Sequence, residues 1–187
     1  PDGDRRKAAA KVLDQHKAAR AVPGLIELTE DPDGLIRMVA LRALVGINDP
    51  SALDTYVRLT HDSREEVQEK AIEGIINVYI VETGGFITDL KQFVENVNPF
   101  SDDYNPLVVE PFVPVSQDAI HALTELLSWH IPQIRKDAAI ALGILQARSA
   151  LPAMQGALSR ETSDGVKVEL IRAFYKIGDP EAGRAII

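Results

Sequence analysis

No cysteine occurs in the 187 residues, which excludes disulfides, thiolate metal sites and a cysteine nucleophile. Aromatic side chains are scarce, at 5%. The core must therefore be aliphatic, built from Ala, Leu, Ile and Val. An excess of basic charge is also missing. Lys and Arg number 20 against 28 Asp and Glu, a net charge of -8. That balance argues against a broad nucleic-acid surface, which needs clustered cations. No apolar run reaches the roughly 18 residues that a bilayer span requires. Nor is there a Gly-x-Gly-x-x-Gly turn, a phosphate loop ending in Gly-Lys-Ser/Thr, or a Gly-x-Ser-x-Gly elbow.

What is present is ordinary for a soluble domain, with 45% hydrophobic and 26% charged residues. The length predicts one domain spanning residues 1–187. The opening Pro1-Asp2-Gly3-Asp4-Arg5-Arg6 is polar and is no signal peptide. With no initiator Met, and with a helix starting at Gly183-Arg184-Ala185-Ile186-Ile187, both ends read as cut. A soluble, cytoplasmic protein fits these features, and the location stays open.

Two apolar frames recur along the chain. The first starts at Ala21, Ala52, Ala119, Ala150 and Ala182, with offsets of 31, 67, 31 and 32. The irregular 67 equals 31 plus an insertion of 36. The second frame reads Ile36-Arg37, Ala40, Leu44, Ile47, followed by Asn48-Asp49-Pro50. Its copies are Val67-Gln68, Ala71, Ile75, Val78; then Ile134-Arg135, Ala138, Leu142, Leu145; then Val166-Lys167, Leu170, Phe174, Ile177. An upstream copy runs Arg5-Arg6, Ala9, Leu13, His16. Spacings of four, four and three place one stripe of a helix toward a core. Asp-Pro after the stripe stops one helix and opens the next. Each unit is thus a helical hairpin of about 31 residues, and small residues at Ala40, Ala71 and Ala138 let the helices approach closely. About ten or eleven helices and no strands are expected.

The stretch Asp31-Pro32, Ile36-Arg37, Ala40, Ala43-Leu44, Ile47-Asn48-Asp49 resembles a HEAT repeat of the short bacterial and archaeal type also seen in phycobilin lyases. The resemblance covers nearly the whole chain outside the insertion. It implies an all-α, right-handed α-solenoid of HEAT-like hairpins with one insertion between repeats, first helices convex and second helices lining a concave groove. It implies little about function, since such repeats serve as scaffolds, adaptors and occasionally enzymes. One copy departs from the pattern: Gln68 stands where the others carry Arg or Lys.

The insertion covers about residues 79–117. Its second-helix extension Tyr79-Ile80-Val81-Glu82 should stop at Gly84-Gly85. Thr88 should cap a short helix from Asp89 to Val97, and Ser116 the helix after the insertion. Leu107, Val108, Val109, Phe112 and Val113 are too many apolar residues for a free linker. The expectation is a segment covering a gap between repeats and bordering the groove, with a binding role as the alternative.

Candidate chemistry is sparse. The four histidines stand as His16-Lys17, His61-Asp62, His121-Ala122 and His130-Ile131. None is the His-Glu pair that a HEAT-like di-iron hydroxylase would repeat, so no metal site is assigned. Asp31-Pro32-Asp33-Gly34 begins like a calcium loop, but its twelfth position is Arg42 rather than Glu. It reads as a turn and cap. Trp129, near the end of a first helix, is expected to pack on a neighbouring repeat. No catalytic residue and no cofactor are assigned.

The frame does predict a concave face, on which we place Met38, Arg42, Glu73, Lys136, Ile140 and Arg172 as partner-binding residues, with Val39 and Ile144 as further apolar members. Arg42 and Arg172 are expected to be exposed. Mixed charge interrupted by apolar residues suits a protein or peptide. The reading is a non-enzymatic scaffold or adaptor that binds a protein or peptide partner through this groove, without nucleic acid or a membrane span. The alternatives are an accessory enzyme of the phycobilin-lyase type and a connecting repeat segment of a larger protein.

Overall fold

The computed structural model describes residue 3 and residues 19–80, 108–109 and 113–178. The chain divides into two compact units, residues 1–78 and 79–187. Among the described residues there are eight α-helices and no strand. The upstream frame from Arg5 to His16, the stop at Gly84-Gly85, the Asp89–Val97 helix and the repeat start at Ala182 lie outside the described residues.

In the first unit a 3-10 turn leads into α1 (Val22–Leu28), which packs on α2 (Gly34–Ile47). A second 3-10 turn, Pro50–Ala52, opens α3 (Leu53–Leu59), and α4 (Glu65–Ile80) follows. In the second unit α5 (Gln117–Leu126) packs on α6 (Pro132–Ile144), and α7 (Leu151–Arg160) precedes α8 (Asp164–Ile177). Local chemistry sets these boundaries. The Asp33 side chain accepts from Leu35 N to cap α2, and Asp31 Oδ1 accepts from Asp33 N at 2.8 Å. The Asp31–Gly34 stretch is thus the expected turn and cap. Asn48 ends α2 in the left-handed region at φ 55°, which Asn tolerates. Ser116 caps α5 by accepting from Ala119 N, as its place in the sequence predicts.

The frames are the core. Leu44, Ile75, Leu142 and Phe174, at one equivalent position, are all buried, as are Leu25, Tyr56, Leu123 and Met154 on the first helices. Close helix approach depends on missing side chains. A Cβ on Gly143 would fall 2.8 Å from Ala173 Cα, so α6 and α8 meet nearly backbone to backbone. A Cβ on Gly74 would lie 3.0 Å from the ring of Tyr56.

Successive hairpins are also stapled by an arginine. Arg37, at the start of α2, donates Nε and Nη2 to Asp62 in the following turn, at 2.6 and 2.8 Å. Its Nη1 donates to the Asp31 carbonyl at 3.0 Å. The second unit repeats this. Arg135 donates to Glu161 at 2.7 and 2.8 Å and to the Trp129 carbonyl at 2.8 Å. Fork-to-fork pairing of this kind is among the stronger polar contacts. Gln68 keeps half of the arrangement: Nε2 donates to the Asp62 carbonyl at 2.9 Å.

Candidate functional site

The second helices carry the predicted face, and burial sorts its residues differently from the helical frame alone. Glu73, Asp137 and Glu169 are buried, at 3%, 1% and 7% exposure. Each has a nearby polar partner on its own helix. Lys70 Nζ lies 2.8 Å from Glu73 Oε2, Gln133 donates to Asp137 Oδ1 at 2.8 Å, and Arg172 pairs with Glu169 at 2.5 Å. These are helical neighbours three or four residues apart. Buried carboxylates persist only where such partners compensate the lost hydration.

Arg172 is therefore no free surface cation, as the frame suggests; its side chain is 17% exposed and engaged by Glu169. Ile140 and Ile144 are buried as well and supply no exposed apolar surface. The inserted segment reaches this end of α6. Val109, itself buried, donates its backbone N–H to the Ile144 carbonyl at 2.8 Å. The Tyr79 hydroxyl accepts from Ser116 N at 3.0 Å. Arg42 is exposed, Lys136 and Met38 are half-buried, and no ion pair to Arg42 or Lys136 is formed among the described residues. The outward-facing charges of the six predicted residues are therefore the cations of Arg42, in the first unit, and Lys136, in the second.

Electrostatics of the inter-hairpin staples follow from their geometry. Hydrogen bonding to Arg135 holds the Glu161 carboxyl at about 2, against a burial cost that acts the other way. Burial pushes the Asp62 carboxyl up, but the bonds from Arg37 and from Arg64 N, with the charges of both arginines, together outweigh it and hold the group below the usual range. Burial lowers the Lys176 ammonium to about 8, with Glu169 opposing the shift and Arg172 adding to it. Among the described residues no group of three His, Asp or Glu side chains is placed to hold a metal ion.

Trp129 sits in the α5–α6 turn rather than in the helix, half-buried beside His130 with ring centroids 5.4 Å apart. Sequence reasoning did not single out the staple acids Asp62 and Glu161. The signal was available: each lies 25 or 26 residues after an arginine in the same frame position.

Repeated helical hairpins with an equivalent buried position define an α-helical repeat protein. Residues 1–76 match the family model for HEAT repeats. A subunit in the complex of CpcE and CpcF of phycocyanin lyase from Nostoc sp. PCC7120 shares the fold, with a TM-score of 0.59 and 20% identity over 89% of this chain and 86% of that one. The fold is accordingly that of HEAT-like repeats, and the family match itself covers residues 1–76. Human deoxyhypusine hydroxylase also aligns, at a TM-score of 0.40 and 22% identity over 97% of this chain and 71% of that one. No curated protein matches by sequence. No described helix is long and apolar enough to cross a membrane.

Proposed function

We propose that the protein is a non-enzymatic scaffold or adaptor whose second helices hold an acidic segment of a protein partner. The carrying observation is the sorting of charge on those helices. Glu73, Asp137 and Glu169 are buried and compensated, whereas Arg42 and Lys136 face outward. Each unit thus presents one outward cation on a second helix, and such a cation attracts anionic groups although the whole chain carries a charge of -8. Met38, half-buried one turn before Arg42, supplies an adaptable apolar contact. The reading is supported by the Nostoc chain that shares this fold, which is found in a complex of CpcE and CpcF. An enzyme that handles a prosthetic group on this face finds little support in the residues. The six residues placed on this face, Met38, Arg42, Glu73, Lys136, Ile140 and Arg172, include no aromatic side chain.

The test is affinity purification from the native source with the wild-type chain and with Arg42→Glu combined with Lys136→Glu. Arg42 is exposed, so its change shifts stability by less than about 0.5 kcal/mol; Lys136 is half-buried, so circular dichroism of the double variant verifies that it is folded. A partner retained by the wild type and released by the double variant supports the assignment. Equal retention by both refutes it and favours a passive connector.

A further inference from the structure

A recess of about 230 Å³ lies in the second unit, between the α5–α6 turn and the end of α7; its walls include Ser128, Trp129, Arg135, Arg160, Glu161 and Thr162. The repeat frame explains why it is open. In the first unit Arg58 occupies the gap between successive turns. Its Nη2 donates to Thr29 Oγ1 at 2.9 Å and lies 3.6 Å from Glu30. Gly156 stands at the position of Arg58, six residues after the frame alanine in both copies. No side chain enters from there, and the gap stays empty.

The walls have changed in sign as well. Glu30, nine residues after Ala21, is replaced by Ser128, nine after Ala119. Where the first unit offers a carboxylate to a cation of its own, the second offers a cation. Arg160 folds back over the glycine, so that a Cβ on Gly156 would lie 3.2 Å from its Nη1. Arg160 is exposed and forms no ion pair among the described residues. Glu161, 4% exposed, is neutralised by its two bonds from Arg135, so the local charge is that of Arg160 alone. The hydroxyl-bearing Ser128 and Thr162 and the apolar Leu127, Trp129 and Ala157 complete the lining.

We propose that this recess binds a monocarboxylate with a short apolar body, the carboxylate on Arg160 and the body against Trp129. Guanidinium and carboxylate match in charge and in planar geometry. A single cation beside a buried carboxylate does not suit a dianion such as phosphate. The volume falls below the range of about 300–1,000 Å³ typical of drug-sized ligands, which limits the occupant to a small acid or to one acidic side chain of a peptide. This site lies apart from the second-helix face and stands or falls independently of it.

Trp129 is the only tryptophan in the chain, so its emission reports on the recess directly. The wild-type protein is titrated at constant ionic strength with hexanoate, with hexanamide, and with an acetylated, amidated peptide bearing one glutamate. Calorimetry accompanies each titration, so that a spectroscopically silent complex is still detected. Saturable binding of hexanoate or of the peptide is expected, at least about tenfold weaker for the amide. Arg160→Gln, an exposed change, should weaken it by about tenfold, and Gly156→Arg, which refills the recess, should do the same. The tighter of the two carboxylates distinguishes a free acid from a protein-borne one. No saturable response to either carboxylate, an equal response to the amide, or full affinity in Arg160→Gln overturns the proposal.

Discussion

Glu161→Gln is the sharpest test of how the hairpins of the second unit are held together. The carboxylate accepts from Arg135 Nε at 2.7 Å and Nη2 at 2.8 Å, and from the backbone N–H groups of Thr162 and Ser163 at 2.9 Å. Glutamine keeps the shape and one acceptor oxygen for the backbone. It puts an NH2 group against a guanidinium N–H and removes the charge. Each hydrogen bond to a charged group contributes about 1.5–3 kcal/mol. The two arginine bonds act as a unit rather than additively, so the expected loss is about 2–4 kcal/mol near neutral pH. Solvent screening discounts this little, because the side chains are only 15% and 4% exposed. Urea unfolding followed by Trp129 emission is the assay, since Arg135 also holds the Trp129 carbonyl at 2.8 Å. A pH series supplies a second readout. The Glu161 carboxyl sits at about 2 when folded, against an ordinary 4.5. Its contribution is therefore complete above about 4.5 and is lost as pH falls toward 2. The gap between wild type and variant should close over that interval. A loss below about 0.5 kcal/mol near neutrality, or a gap unchanged down to about pH 3, would refute the staple.

Arg37→Gln converts the first staple into the Gln68 arrangement; it should cost about 2–4 kcal/mol through the lost Asp62 bonds, read by circular dichroism in urea. Gly143→Val forces side-chain atoms into Ala173, where a Cβ alone would approach within 2.8 Å of Cα. A loss of about 1–3 kcal/mol is expected from calorimetric melting, and a neutral result would mean that α6 and α8 are not in close contact. Leu142→Ala, at a fully buried frame position, should lose about 2–5 kcal/mol. A value under about 1 kcal/mol would place the stripe in the wrong register.

The repeat frame made the core legible because helical periodicity fixes which side of a helix points inward, and Leu44, Ile75, Leu142 and Phe174 all obey it. Turn chemistry was legible for a similar reason: Asp33, Asn48 and Ser116 act through local geometry alone. The candidate face was harder. Periodicity gives the direction of a side chain but not what covers it. Ile140 and Glu73 were therefore placed on an open groove although both are buried. The lysine three residues before Glu73 was a readable sign of compensation, whereas the approach of Val109 to the end of α6 was not.

Gln68 shows what a single departure from the pattern encodes. Where the described frame carries arginine, this position does two things. It binds a carbonyl of its own hairpin's turn, as Arg37 does with Asp31 and Arg135 with Trp129, and it pairs with an acid 25 or 26 residues on. After Gln68 that distance falls inside the inserted stretch, not at the turn of a next hairpin. Asp62 O still accepts from Gln68, at 2.9 Å, so the local bond survives without a charge. Gln68 is 2% exposed, and a guanidinium at that depth is stable only with a carboxylate to receive it. The neutral side chain thus matches a frame in which the residues 25 and 26 further on are Phe93 and Val94, neither of which is an acid.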